Sequence, residues 1–291
     1  MAVRILNGYE ELTYDALQRA CSGDGAHVFP KVRVADVFRI ENATISPKHL
    51  SYALKAHFDF VVTDKEYRPL FCVEFDGPLH ETSEKQQERD RLKNEICDHF
   101  EHGLLRINSR YLTSSYRGMD LLTYFVDAWF LERAFSDAQA NGAVPYDEPF
   151  DVTYIYSTGT EGSRKWPYWL SLDIQVSMEK LHKEGRIGQM VPSSYVGSDD
   201  DGSYRCLSWL VLDAGSVLAV KTGMRAQRFP AVMESDVLSM LAMFDLNKLL
   251  QKTLAGDRSA VRDRKTFFST TLKEFEKSYT MWSSTSCGAT V

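Results

Sequence analysis

Phe58-Asp59-Phe60-Val61-Val62-Thr63, then Leu70-Phe71-Cys72-Val73-Glu74-Phe75 leading into Asp76-Gly77-Pro78, is the stretch that decides the fold. Both runs are rich in β-branched and aromatic residues and are bounded by turn formers, so each reads as a strand. The break between them, Asp64 to Pro69, is too short for a parallel crossover, and the two strands are therefore expected to lie antiparallel. Three carboxylates ride on them. Alternation puts Glu74 and Asp76 on one side of the second strand and Phe75 on the other. Asp59 stands between Phe58 and Phe60, and an acid among core residues is costly unless it is paired or binds a cation. Acids converging at strand ends repel one another, and a divalent ion is the usual resolution. Oxygen-only ligands point to Mg²⁺ or Mn²⁺ rather than Zn²⁺.

Working outward, Ser83 to His102 reads as a helix, with Ser83 as N-cap, an apolar stripe at Leu92, Ile96 and Phe100, and Gly103 as its stop. At about 100° per residue, Lys93 and Asp90 flank that stripe, while Arg89 falls within it. Leu104 to Ile107 reads as a short buried strand carrying Arg106. Upstream, Tyr9 to Ala20 reads as a helix, His27 to Val34 as a strand despite its proline, and Asn42 to Ser51 as a loop. Gly118 to Gln139 is a mostly apolar helix. This order predicts an α/β fold, a mixed sheet flanked by helices.

Glycine and two prolines between Asn141 and Pro149 place a domain boundary there, giving a first domain over 1–143 and a second over 147–282. The second is expected to be α/β or α+β. In it Val152 to Tyr156, Leu207 to Asp213 and Val217 to Lys221 read as strands, and Ile174 to Lys183, Glu234 to Leu254 and Ser259 to Tyr279 as helices. Residues 283–291 are small and polar and read as a flexible tail.

The ordered string F-D-F-V-V, V-E-F-D-G-P-L-H, R-D-R-L-K and G-L-L-R-I resembles the PD-(D/E)XK, restriction-endonuclease-like nucleases, in the branch that includes very-short-patch-repair-like enzymes. Glu11 to Leu17 resembles the first helix of that branch, whose glutamate can join a metal site. The resemblance covers roughly residues 9–112. It implies a restriction-endonuclease-like fold and a metal-dependent endonuclease acting on DNA in restriction, repair or phage defence. By it, Asp59, Glu74 and the backbone carbonyl of Phe75 are metal ligands, Glu11 is a further candidate ligand, and His80 and Asp76 belong to the catalytic group. Arg106, supported by Asp90, faces substrate phosphate or else pairs with an acid such as Asp76. The family's E-x-K lysine position holds Asp76. Either Lys93 takes over from the helix, or Asp76 supports a second metal, or catalytic competence is lost and the chain is a binding module for DNA or a protein. An RNase on the same scaffold is the third reading.

Composition sets outer bounds. With 44% hydrophobic and 25% charged residues the chain can bury a real core. A net charge of −6 argues against a broad basic DNA-coating surface, though not against local basic patches beside a metal site. The five cysteines form no C-x-x-C pair, which argues against a disulfide framework or a thiolate zinc site. No secretory leader or membrane span is evident, so a cytoplasmic protein is expected, with any protein partner engaged through the second domain.

Overall fold

The computed structural model describes residues 4–40, 43–77, 84–113, 119–154, 170–200 and 202–285. They fall into two compact units. The first takes the described residues up to Val152 and then Gln227–Val232, although the chain on either side of that later segment belongs to the second unit.

In the first unit, α1 (Gly8–Cys21) is capped by Asn7, whose side chain accepts from the Tyr9 and Glu10 N–H groups while Glu10 reaches back to the Asn7 N–H. This reciprocal cap satisfies donors the helix start would otherwise leave open. There follow β1 (His27–Arg33), α2 (Val34–Val37), α3 (Pro47–Ala53), β2 (His57–Thr63), β3 (Pro69–Phe75), α4 (Glu84–His99), β4 (Gly103–Ile107) and α5 (Leu121–Ala140). The sheet order is β1-β2-β3-β4, antiparallel at the first two pairings and parallel at β3/β4. The tight turn after β2 is organised by the Asp64 carboxylate, which accepts from the Glu66 and Arg68 N–H groups. A parallel return needs a crossover, and α4 supplies it.

Alternation sends the side chains of the central strands to two helical layers. Val61, Cys72 and Leu104 pack with Ile96 and Cys97 of α4. On the opposite face Phe60 stacks with Tyr14 of α1, and Phe71 meets Trp129 of α5. The outer side of β4 is covered by Gln227–Val232, where Leu104 and Arg228 exchange backbone hydrogen bonds of 2.7 and 3.2 Å.

The second unit is built on a five-stranded antiparallel sheet, ordered β8-β7-β6-β5-β9, from β5 (Ser193–Ser198), β6 (Tyr204–Val211), β7 (Ser216–Met224), β8 (Arg262–Asp263) and β9 (Thr280–Thr285). α6 (Leu172–Lys183) and α7 (Glu234–Leu254) cover one face through Met178, Leu246 and Leu250 against Leu210 and Leu218. Phe267, Leu272 and Phe275 cover the other, against Trp209 and Val217. Among the described residues no helix is long and apolar enough to cross a membrane.

Several expectations change. The loop read over Asn42 to Ser51 contains the start of α3, capped by Ser46 with Pro47 at its first position. Of the strand read over Val152 to Tyr156, Val152–Tyr154 is a 3₁₀ turn, and residues 155 and 156 lie outside the described residues. The helix expected from Ser259 starts at Arg264 and holds a π turn at Phe267–Thr271. The tail read from Ser283 begins inside β9, which pairs with β5. The first unit runs to Val152 and takes up Gln227–Val232, rather than ending at 143. Gly103 does not stop α4. The chain turns at Glu101, with φ 49°, and Gly103 is small because an added Cβ would come within 3.3 Å of the Phe71 Cβ.

Candidate active site

The β2–β3 register runs down to Phe60 opposite Val73. One pair further, Asp59 faces Glu74, and there side chains replace the backbone ladder. The Asp59 N–H donates to Glu74 Oε1 at 3.1 Å, and the Phe75 N–H donates to Asp59 Oδ2 at 3.0 Å. Because a residue in an extended strand directs its N–H and C=O to the same neighbour, the Phe75 carbonyl faces the Asp59 side too.

Lys93, from α4, meets this pair. Its Nζ lies 2.7 Å from Glu74 Oε2, donates to the His57 carbonyl at 2.9 Å and sits 5.4 Å from the Phe58 ring centroid. Glu74 and Lys93 are each only 7% exposed. Burial pushes the Glu74 carboxyl above its ordinary value; Lys93 opposes that shift, and Asp59 adds to it. The ammonium lying against this buried carboxylate offsets part of the cost of burying its charge.

Asp59 has a cation of its own. Lys31 Nζ lies 2.7 Å from Asp59 Oδ1 and 2.8 Å from Glu10 Oε1. Burial draws the Lys31 ammonium down, but its hydrogen bonds to Asp59 and Glu10 outweigh that and leave its pKa raised. Lys31 adopts φ 55°, left-handed backbone in the middle of a strand, next to Pro30. Such a conformation is costly for a residue with a Cβ and persists where surrounding contacts impose it.

Asp76 and Asp90 share Arg106. Its Nη1 lies 3.1 Å from Asp76 Oδ1 and 3.4 Å from Asp90 Oδ1, while Nε and Nη2 donate to Asn94 Oδ1. Of the two roles considered for Arg106, pairing with Asp76 is the geometry found. At 3% exposed, the guanidinium is committed to protein partners instead of facing outward to phosphate.

A cavity of about 810 Å³ opens over part of this cluster, lined by Glu10, Asp59, Glu74, Phe75, Asp90 and Lys93 among others, while Lys31, Asp76 and Arg106 do not line it. Glu11 is not among its lining residues: it is exposed and pairs with Arg4. Glu10 takes the inward position because it precedes the buried Thr13 and Leu17 by three and seven residues, on one helical face. That spacing was readable in the sequence. Lys31 carried no comparable signal beyond a proline and a charge inside a strand, since its partner Asp59 is distant in the chain. Arg89, expected within the apolar stripe, is exposed on the cavity wall. His80 and the Ser83 cap lie outside the described residues.

The donor set suits a hard divalent ion. Two carboxylates on facing strands, each oxygen accepting one hydrogen bond and keeping a lone pair, together with a backbone carbonyl, are oxygen ligands of the kind Mg²⁺ takes when water completes its shell. They do not suit a closed protein cage. Among the described residues no group of three or more His, Cys, Asp or Glu side chains could hold an ion by itself. Burial raises the thiol pKa of Cys72 far up and that of Cys97 to about 12, so both stay protonated and unreactive.

Residues 2–119, a span that contains every one of these site residues, are similar to the family described as Protein of unknown function (DUF2726). No curated protein and no solved structure matches the chain.

Proposed function

We propose that the first unit is a metal-dependent nuclease of the restriction-endonuclease-like kind, which hydrolyses phosphodiester bonds of DNA. The observation that carries this reading is the convergence of Asp59, Glu74 and Lys93 from two strands and a helix, with Lys93 Nζ 2.7 Å from Glu74. The mixed sheet flanked by helices also supports it. Asp59, Glu74 and the Phe75 carbonyl would hold Mg²⁺ or Mn²⁺, which when bound activates water and offsets charge on the phosphate. Lys93 favours the ionised form of Glu74 against the pull of burial and places a positive charge beside it, the role an E-x-K lysine would have had at position 76. Asp76, tied to Arg106, braces β3 against β4 and α4 and leaves that role to the helix.

The test is cleavage of plasmid and linear DNA, with RNA in parallel, by the full chain in Mg²⁺ and Mn²⁺. Asp59→Ala and Glu74→Ala are expected to abolish cleavage at a temperature where the circular dichroism spectrum is still that of the parent, although Glu74→Ala, which strands the buried Lys93 ammonium, should melt lower. Full activity in both variants sinks the proposal. Cleavage of RNA alone moves the substrate without moving the site. Ion binding by calorimetry without cleavage of either nucleic acid favours a binding module on the same scaffold.

A further inference from the structure

The cavity floor is acidic, but one wall is not. α3 and the turn after it contribute Lys48, Tyr52 and Lys55 to the lining, and α4 contributes Arg89. Two cross-helix pairs seat α3 on α4, Lys48 with Glu88 and His49 Nε2 with Glu95 Oε2 at 2.7 Å. Lys48 is thereby committed. Among the described residues Lys55 and Arg89 enter no ion pair, and both are exposed. Tyr52 is half-buried, and burial, with the charges of Glu74 and Asp90, pushes its phenol pKa up, so the hydroxyl remains a donor.

Surface lysines and arginines are common, and each alone means little. Here two uncommitted cations and a neutral donor line the same cavity as the carboxylates, in a chain whose net charge is −6. An acidic floor repels a polyanion, and cations on a concave wall reverse that locally by focusing the field. Arg89 offers the planar fork that matches a phosphate, and Lys55 a point charge on a long stem.

We propose that Lys55, Arg89 and Tyr52 form a phosphate-binding wall that grips the DNA backbone on one side of the bond presented to Asp59 and Glu74. The inference rests on the nuclease reading and names the substrate contact of that site. Counterion release makes it measurable, because each phosphate neutralised by a cation adds about 0.9 to the slope of log affinity against log salt on duplex DNA.

The experiment titrates a fluorescent DNA duplex with full-length protein in Ca²⁺ over a salt series. Lys55→Gln and Arg89→Gln are each expected to lower the slope by about 1, and Tyr52→Phe to weaken binding without changing the slope. Lys65→Gln, in the turn at the far end of β2, is expected to leave both unchanged. Mn²⁺ affinity by calorimetry is expected to match the parent in every variant. Parental slopes in both Lys55→Gln and Arg89→Gln overturn the wall and leave the metal site untouched. A parent protein that binds no DNA overturns the wall and the reading of the site as a DNA nuclease together. A parent with the expected slopes that never cleaves in Mg²⁺ keeps the wall and removes the hydrolase.

Discussion

Lys93 and Lys31 divide the work of holding two carboxylates at the end of a sheet. Lys93 is almost sealed against Glu74, so removing it leaves a buried carboxylate without its cation, a loss of about 3–5 kcal/mol for pairs of this kind. Lys93→Ala is therefore expected to lower thermal stability and, in protein still folded at the assay temperature, to cut single-turnover cleavage by roughly two to three orders of magnitude. A variant that cleaves at the parental rate refutes the catalytic role proposed for it. Lys31 is more open, and its pairs with Asp59 and Glu10 are worth correspondingly less. Its left-handed backbone separates conformation from charge. Lys31→Gly and Lys31→Met both lose the ammonium, but only glycine is relieved at φ 55°. The glycine variant should be the more stable of the two by about 1 kcal/mol in urea melts. Equal midpoints would show that the strand bears no such strain.

At the level of elements, legibility followed the strength of the local signal. β2 and β3 were readable because Phe, Val and Cys crowd them and turn residues bound them. β5, with the sequence Ser193-Ser194-Tyr195-Val196-Gly197-Ser198, and β9, which ends in Ser283-Ser284-Thr285, were hidden because small polar residues look like loop until their partners are known. α3 buries only Ala53 and gives no apolar period, yet it carries the cavity wall. The capping pair Ser46-Pro47 was its one readable mark. The α4–β4 connection also holds a titration the sequence did not announce. His102 packs edge-on against Phe38, and its Nε2 is buried without a hydrogen-bond partner among the described residues. Desolvation lowers its pKa to about 4 from 6.5. The unfolded chain then binds the extra proton between those values, so this contribution to stability is whole above about pH 6.5 and is lost as pH falls toward 4. From pH 7 to pH 5 the loss should be about 2 kcal/mol. His102→Leu should remove that part of the slope in urea titrations at the two pH values. An identical slope in the variant would place the proton elsewhere.

Across the whole molecule, the first unit is not closed by the first half of the chain. Nothing local marks Gln227–Val232 as part of it, because the segment follows β7 directly and its partners lie more than a hundred residues back. The Arg106 N–H donates to Gln227 Oε1 at 2.8 Å and Gln227 Nε2 donates to the Arg106 carbonyl at 3.1 Å, so one side chain completes the backbone bonding of the residue that joins Asp76 to Asp90. Arg228 pairs with Leu104 and with Asp98, and Phe229 lies edge-on to Phe71 and Phe125. Phe229→Ala in the full chain would open a cavity beside β3, at a cost of about 3–5 kcal/mol. Gln227→Ala would leave a buried N–H of β4 without its acceptor, a cost of about 1–3 kcal/mol. It would also loosen Arg106, and with it the brace on Asp76, while every carboxylate and lysine of the site stays in place. The expected outcome is a lowered melting temperature for both variants, and for Gln227→Ala a fall in cleavage that persists at temperatures where the protein remains folded. If both melt and cleave as the parent does, the later segment only rests on β4, and the first 152 residues would be a complete unit in their own right.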